Sequence, residues 1–399
     1  MSSALATRWS PRHAEVITDE AGFAGLAREW DELLGASEQR VYFLRYGWNR
    51  LWWQTLRPAG ARLFIITVRD GCGRLAGLAP FYLRERRTAG IPHVRELMFI
   101  GTGIYAQTGE YLDLIARRGD ERMVAEAVAA LLLRSDDWDR LCLNEIPAAS
   151  LVLPHLREAL GPGAELHPGS RAHFITTTGN WEDVLANLSG STRKNLSYET
   201  RRLFRAQACR LRRVADAAEL EAALDALVRL HQARWNARGE PGSFSIPGFE
   251  GFLREAARLS LRDGRLRMWT LEADGAVAAA LIGFYDNGIV HYLQAGFDPQ
   301  FARFSIGRVM LGLCIRECAT DKTVRVLDFM GGNNAYKDEW TQAVRETVAL
   351  TCLRPGVRAM AYTGMRRVAR LSKSLLKAAL PSAVRVAGLR LLQRRYFYR

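Results

Sequence analysis

One pattern occurs twice in this chain, and that repetition limits what it can fold into. Arg62–Tyr82 reads RLFIITVRDGCGRLAGLAPFY and Arg265–Tyr285 reads RLRMWTLEADGAVAAALIGFY. Each is an apolar run, a turn containing Gly71 and Gly73 or Gly275, and a second apolar run ending in Phe-Tyr, the pattern of a β-hairpin. Upstream, Phe23–Leu34 and Leu220–Trp235 both place apolar residues at helical spacing, and each is followed by an aromatic loop and a short helix, Phe43–Trp53 and Phe244–Ala257. Downstream, a strand at Tyr111–Ala116, a helix at Asp120–Leu133 and a strand at Arg140–Ile146 correspond to Ile289–Ala295, Ile306–Ala319 and Val324–Met330. A shared order of elements at this separation means a tandem duplication of one α/β unit.

A cluster of Gly161, Pro162, Gly163, Pro168 and Gly169 marks the join. The expected organisation is a tail at 1–13, one domain at 14–165, a second at 166–353 and a tail at 354–399. The first 15 residues have no apolar core of the signal-peptide kind, and no stretch reaches the roughly 18 apolar residues of a membrane-crossing helix. The six cysteines are scattered without a CxxC pair, so the expectation is a cytoplasmic, disulfide-free protein with no metal centre. Cys314 and Cys318 read as small core residues of a helix.

The formal charge of +14 is local. Residues 354–399 hold twelve Arg or Lys and no Asp or Glu, while Ser191–Arg213 holds eight against Glu199 alone. In the tail, Ala361, Met365, Val368, Leu371 and Leu375 recur at helical spacing with Arg366, Arg370, Lys373 and Lys377 on the other side, the pattern of a helix lying on an anionic membrane. Packing of the apolar stripe on the protein's own domain ranks second to the membrane surface, and nucleic acid third; an acyl carrier protein or tRNA would use the same charges. In the second block, Arg193, Lys194, Arg201, Arg202 and Arg205 crowd one helix, a solvated face by default and an anion site where acidic partners are this scarce.

The second copy carries more chemistry. His291–Met310 reads as a strand, a loop and a helix opening at Ile306 or Gly307, with Ser305 placed to cap it; Arg303 and Arg308 beside free helix amides suit a pyrophosphate or carboxylate. Asp328–Trp340, DFMGGNNAYKDEW, leaves a strand through Gly331 and Gly332 and brings Tyr336, Lys337 and Trp340 onto a short helix. Asp328, Tyr336 and Lys337 could serve as base, acid and electrostatic stabiliser in acyl transfer, or close the turn as an ion pair. His231 and Trp235 stand four apart on one helix with Arg238, and can line one wall; a lone helical His is more often a packed residue.

LHQARWNARGEPGSF (Leu230–Phe244), GFDPQFARFSIG (Gly296–Gly307) and DFMGGNNAYKDEW together resemble the CelD-like acetyltransferases, a Fem-related branch of the GNAT superfamily. The resemblance covers most of residues 15–353 and implies an α/β fold of two tandem GNAT-like domains with mixed sheets, followed here by the basic amphipathic tail. It implies transfer of an acyl or aminoacyl group to an amine or hydroxyl, with acyl-CoA as co-substrate and no permanent cofactor. The implied phosphate-binding residues are Arg303, Ser305, Ile306, Gly307 and Arg308, although Ile306 stands where the family's loop has its first glycine. The resemblance supports Tyr336 and Lys337; the candidate catalytic set is Asp328, Tyr336 and Lys337 with His231 as a further candidate, and the candidate substrate-binding set is Arg193, Lys194, Trp235, Arg238, Gln294 and Trp340.

The functional expectation is an N-acyltransferase on the inner face of the cytoplasmic membrane, moving an acyl group from acyl-CoA to an amine of an envelope precursor, such as a long-chain lipid amine. The competing readings are acetylation of an exopolysaccharide sugar, transfer from aminoacyl-tRNA, and a membrane-docked scaffold without activity. The first copy's Tyr111, Asp113 and Arg117 read as a worn version of the site or as lining between the domains.

Overall fold

The computed structural model describes residues 14–88, 91–104, 108–332 and 335–354, with Gly356, Tyr362 and Gly364 beyond them. The first repeat runs β1 (Ala14–Ile17), α1 (Glu20–Gly25), α2 (Ala27–Gly35), α3 (Tyr46–Leu56), β2 (Arg62–Arg69), β3 (Leu75–Thr88), β4 (Ile91–Phe99), β5 (Ile115–Ala116), α4 (Glu121–Arg134), β6 (Arg140–Pro147), α5 (Leu153–Leu160) and β7 (Ala164–Thr176). The second runs α6 (Trp181–Asn187), α7 (Gly190–Ala206), β8 (Cys209–Arg213), α8 (Ala217–Asn236), α9 (Phe249–Arg262), β9 (Leu266–Ala273), β10 (Ala276–Asp286), β11 (Ile289–Phe297), α10 (Ile306–Thr320), β12 (Val326–Asp328) and β13 (Val344–Leu353). The predicted hairpins are β2–β3 and β9–β10, both antiparallel. Their central residues are buried on both faces because helices cover the sheet on either side, which is why they read as continuous apolar runs.

Among the described residues all thirteen strands join in one sheet, ordered β1-β2-β3-β4-β6-β13-β7-β12-β11-β10-β9-β8, with β5 beside β3. The first half holds β1 to β6 and takes β13 from the end of the second repeat; the second holds β8 to β12 and takes β7 from the end of the first. β7, which follows the first repeat, pairs with β12 of the second; β13, which closes the second, returns to β6 of the first. β7 and β13 pair with each other antiparallel, so the exchanged strands form the seam.

The aromatic helices α3 and α9, equivalent in the repeat, pack together across that seam. Trp48 lies edge-on to Phe252 at 4.7 Å and to Phe284 at 5.2 Å, and Tyr42 stacks on Phe284 at 4.8 Å. Trp48 donates its N–H to the Thr108 carbonyl at 2.7 Å, so its one polar atom is satisfied in the core. Asp286 adds an ion pair across the halves, accepting from Arg45 and from Arg265 at 2.8 Å.

One expected strand is different. Tyr111–Leu114 is irregular, with strand only at β5, and Tyr111 has φ of 59°. The long strand at this place in the repeat is β4, where His93, Arg95 and Glu96 interrupt the apolar run that the sequence reading sought. The irregular segment fills the first half's wedge instead: β4 and β6 pair only at Glu96–Arg140 and Leu97–Leu141, and the Leu112 N–H bonds the Glu145 carbonyl at the end of β6.

Candidate active site

The same wedge stays open in the second half. β11 pairs in parallel with β12 only over Ile289–His291, and beyond that the two diverge. A bulge at Leu293, where Ile282 faces Gln294 and Gly283 faces Tyr292, re-aims the free part of β11. Gly283 permits this approach, since a Cβ there would stand 2.7 Å from the His291 carbonyl oxygen. The edge of β11 from Tyr292 to Phe297 thus faces the opening with backbone groups that no strand takes up on that side.

The opening is a cleft of about 440 Å³ lined by β11, by the first turns of α10, by Arg234 of α8 and Arg238 in the turn that follows it, and by Tyr336, Glu339 and Trp340 of the 3-10 turn Ala335–Glu339 and its end. Ser305 precedes α10 in the left-handed region, φ 54°, and its side chain does not cap the helix, contrary to expectation. The amides of the first turn, Ile306 and Gly307 among them, have no partners within the helix. A Cβ on Gly307 would press within 3.0 Å of the Phe297 ring, so glycine lets the helix start close to β11. Of the expected phosphate ligands, Ser305, Ile306, Gly307 and Arg308 line the cleft, but the Arg308 guanidinium is already held by Glu199 and Glu339, each at 2.8 Å. Arg303 is exposed and lies over the Phe304 ring at 4.8 Å, with Arg202 of α7 over the same ring at 5.3 Å.

Tyr336 and Trp340 enter the cleft; Asp328 and Lys337 sit outside its lining. Asp328 is fully buried at the end of β12, where its carboxylate accepts from the Tyr111 O–H at 2.8 Å, from Arg345 at 2.8 Å and from the Met330 N–H at 2.8 Å. Lys337 is 2% exposed and donates to the carbonyls of Met330 at 2.8 Å, Gly331 at 2.6 Å and Gly332 at 3.4 Å. Burial pulls its pKa down, opposed by the nearby Glu110 and Asp328 carboxylates. The ammonium therefore clamps the turn that carries Tyr336, rather than reaching for a ligand.

Glu110 of the first half also meets this turn, accepting the Gly331 N–H at 2.5 Å. Burial, with Asp328 and Glu145 close by, pushes its pKa up to about 8. Tyr111 thus joins the two halves; Asp113 is buried under the first half's own core beside Gln39, and Arg117 donates to the Leu75 carbonyl.

Tyr292 and Tyr336 hydrogen-bond to each other, and burial raises the pKa of both. Tyr292 and Arg234 were not singled out by sequence reasoning, although Arg234 is on the helix of His231 and Trp235; that helix ends at Asn236, so Arg238, expected on it, lies in the turn beyond. His231 is buried, 4.8 Å from the Phe244 ring, with its pKa pushed down to about 4 by burial, and it does not line the cleft. Gln294 donates to the Ser243 hydroxyl at 3.3 Å, and Trp235 is half-buried beside His231. Arg193 and Lys194 are exposed on α7; Arg193 borders a separate groove between α6, α7 and α10.

Residues 190–338 match the sequence model of the acetyltransferase (GNAT) domain. This segment is a GNAT-type acyltransferase domain. It contains the open wedge, the α10 start and the Tyr336 turn, while the first half repeats the same order of elements, so the chain is a tandem of two GNAT-like halves. No curated protein matches the chain in sequence. Among solved structures, FemX superposes with a TM-score of 0.54 at 11% identity, covering 81% of this chain and 95% of its own. The C-terminal domain of a putative lysylphosphatidylglycerol synthetase from Agrobacterium fabrum gives 0.50 at 11% identity, covering 86% and 95%. A conserved protein of unknown function from Bacteroides thetaiotaomicron gives 0.52 at 11%, covering 85% and 100%. At such identities the likeness is one of fold. Among the described residues no cluster of His, Cys, Asp or Glu has the arrangement of a metal site, and no helix is long and apolar enough to cross a membrane.

Proposed function

We propose that the second half transfers an acyl group from a CoA thioester to the amine of an envelope precursor, at a membrane surface. The open β11 edge carries this reading. Its backbone groups can pair with the amides of a pantetheine arm, and the first-turn amides of α10 can take the pyrophosphate, helped by Arg202 and Arg303 in place of the neutralised Arg308. The amine nitrogen attacks the thioester carbonyl, the C–S bond breaks, and the Tyr336 hydroxyl gives its proton to the departing thiolate. Tyr292 donating to the Tyr336 oxygen leaves that proton free to face the thiolate. Glu339 is the one carboxylate among the described lining residues, and Arg308 holds it. The amine's proton therefore leaves to water rather than to Asp328, which we assign with Lys337 to positioning of the turn.

α7 supports the membrane location. Tyr198 is 59% exposed and Phe204 41% exposed on a face that also presents Lys194, Arg201 and Arg205. The basic tail expected to lie on lipid falls outside the described residues, apart from Arg354, Gly356, Tyr362 and Gly364; Tyr362 is buried with Arg140 over its ring at 5.8 Å, so that part packs on the first half. The name of the Agrobacterium relative, a lysylphosphatidylglycerol synthetase, favours a lipid acceptor. The same α7 cations favour a second reading, an aminoacyl-tRNA donor.

Thermal denaturation with acetyl-CoA, long-chain acyl-CoA and aminoacyl-tRNA decides between donors, since a ligand at 100 times its Kd stabilises by about 2.7 kcal/mol. A shift with an acyl-CoA and none with tRNA is expected. A shift with tRNA alone would overturn the CoA reading. Sedimentation with anionic vesicles that is unchanged by the double variant Tyr198→Ser, Phe204→Ser would remove α7 from the membrane reading.

A further inference from the structure

Among the described residues three arginines line the cleft, and one of them is neutralised. Arg308 has Glu199 and Glu339; Arg234 in the last turn of α8 and Arg238 just beyond the helix end have no carboxylate partner among the described residues. The Arg234 Nε is buried without a hydrogen-bond partner, and its guanidinium lies 4.6 Å above the Phe297 ring. The position is fixed by close backbone packing. A Cβ on Gly296 would stand 2.3 Å from the His231 nitrogen, so α8 rests directly on β11 and holds Arg234 over the wedge. Burial disfavours the charge on Arg234, and Arg238 beside it adds like-charge repulsion. A half-buried cation in this state costs stability unless a ligand brings the counter-charge.

We propose that Arg234, with Arg238 at the mouth, binds an acid group, carboxylate or phosphate, carried by the amine acceptor. The proposal rests on the reading of the cleft as an acyl-transfer site and names the acceptor's class: an amine that bears an acid. The Phe297 ring turns its edge, Cδ1 and Cε1, toward Gly307 and its face toward Arg234. The first turn of α10 and the Arg234 guanidinium thus meet different sides of one ring in the cleft. With the donor's phosphates on α10, the Arg234 side is left for the acceptor. Tyr336 lies near Arg234, so an acid held there places a nearby amine beside the hydroxyl that serves transfer.

The test is calorimetric titration of the full chain with phosphoethanolamine, β-alanine, ethanolamine and CoA, repeated on Arg234→Gln, Arg234→Lys and Arg238→Gln. At least one of the two acid-bearing amines should bind tenfold or more tightly than ethanolamine. Arg234→Gln should abolish that preference and leave CoA binding unchanged, Arg234→Lys should restore part of it, and Arg238→Gln should weaken it. The melting temperature of ligand-free Arg234→Gln should equal or exceed that of the wild type, because a half-buried unpaired cation has been removed; a purely structural arginine would lower it. Equal binding of ethanolamine and the acidic amines overturns the proposal. Loss of CoA binding in Arg234→Gln with the amine preference intact also overturns it, by assigning the anion site to the donor. A wild type that binds acidic amines through Arg234 but no CoA contradicts the acyl-CoA reading and leaves the anion site standing.

Discussion

Glu110 gives the seam a pH dependence of calculable sign. In the unfolded chain its carboxyl titrates near 4.5; in the fold it is held protonated to about pH 8 by burial and by Asp328 and Glu145. Below pH 4.5 both states carry the proton, and this group costs nothing. Between 4.5 and 8 the unfolded state releases a proton that the folded state keeps, so stability falls as pH rises and levels off above 8. At about 1.4 kcal/mol per pKa unit, the loss is of order 5 kcal/mol. Glu110→Gln keeps an oxygen for the Gly331 N–H and removes the titration. Urea denaturation from pH 4.5 to 9 should therefore show wild-type stability declining relative to Glu110→Gln, with the variant more stable by a few kcal/mol at pH 8 and the two similar at pH 4.5. Parallel stability curves across that range, or a variant less stable at pH 8, would refute the assignment of a buried neutral carboxyl.

Tyr336→Phe should lower kcat by about 10²–10⁴ with CoA affinity retained, as expected for loss of a general acid, and a single-turnover assay with acyl-CoA reads it. Lys337→Met leaves the Met330 and Gly331 carbonyls without their donor; stability should drop by about 1–3 kcal/mol in chemical denaturation, and the kcat defect should accompany a disordered turn. Trp48→Ala should cost about 3–5 kcal/mol by the same measurement, because the ring is buried against Phe252 and Phe284 of the other half. Gly296→Ala should fail to fold or lose the cleft, seen as loss of CoA-induced stabilisation, since its Cβ would overlap the α8 backbone.

The repeat, both hairpins and the helix from Ile306 were legible because hydrophobic periodicity and turn glycines are local signals. The Gly331–Gly332 turn and the entry of Tyr336 and Trp340 into the cleft were equally local. What sequence reasoning lacked was partnership at long range. Asp328 looks like a free carboxylate until Tyr111, 217 positions earlier, and Arg345 close on it. Lys337 looks like a mobile cation until three carbonyls take its protons. Arg308 looks like a phosphate ligand until Glu199 arrives from α7. The opposite holds for Arg234: its interest lies in a missing partner, which no spacing reveals. The β4 strand escaped because charged residues that pair across the sheet, such as Glu96 with Arg84 and Arg140, interrupt its apolar pattern.

The strand exchange sets the order in which this molecule can be completed. β6 ends at Pro147, and its neighbour β13 begins at Val344, so during synthesis the first half waits for nearly the whole second half before its edge is covered. A nascent chain halted anywhere before β13 exposes the hydrogen-bonding edge of β6, a template for pairing with another chain. Cutting the gene at the repeat boundary would give two fragments that each lack a strand, and they would be expected to recover structure only together. The catalytic half is therefore not a module that can be moved by itself: the first half, whose own wedge is filled, persists as the partner that trades a strand with it and supplies Tyr111 and Glu110 beneath the Tyr336 turn.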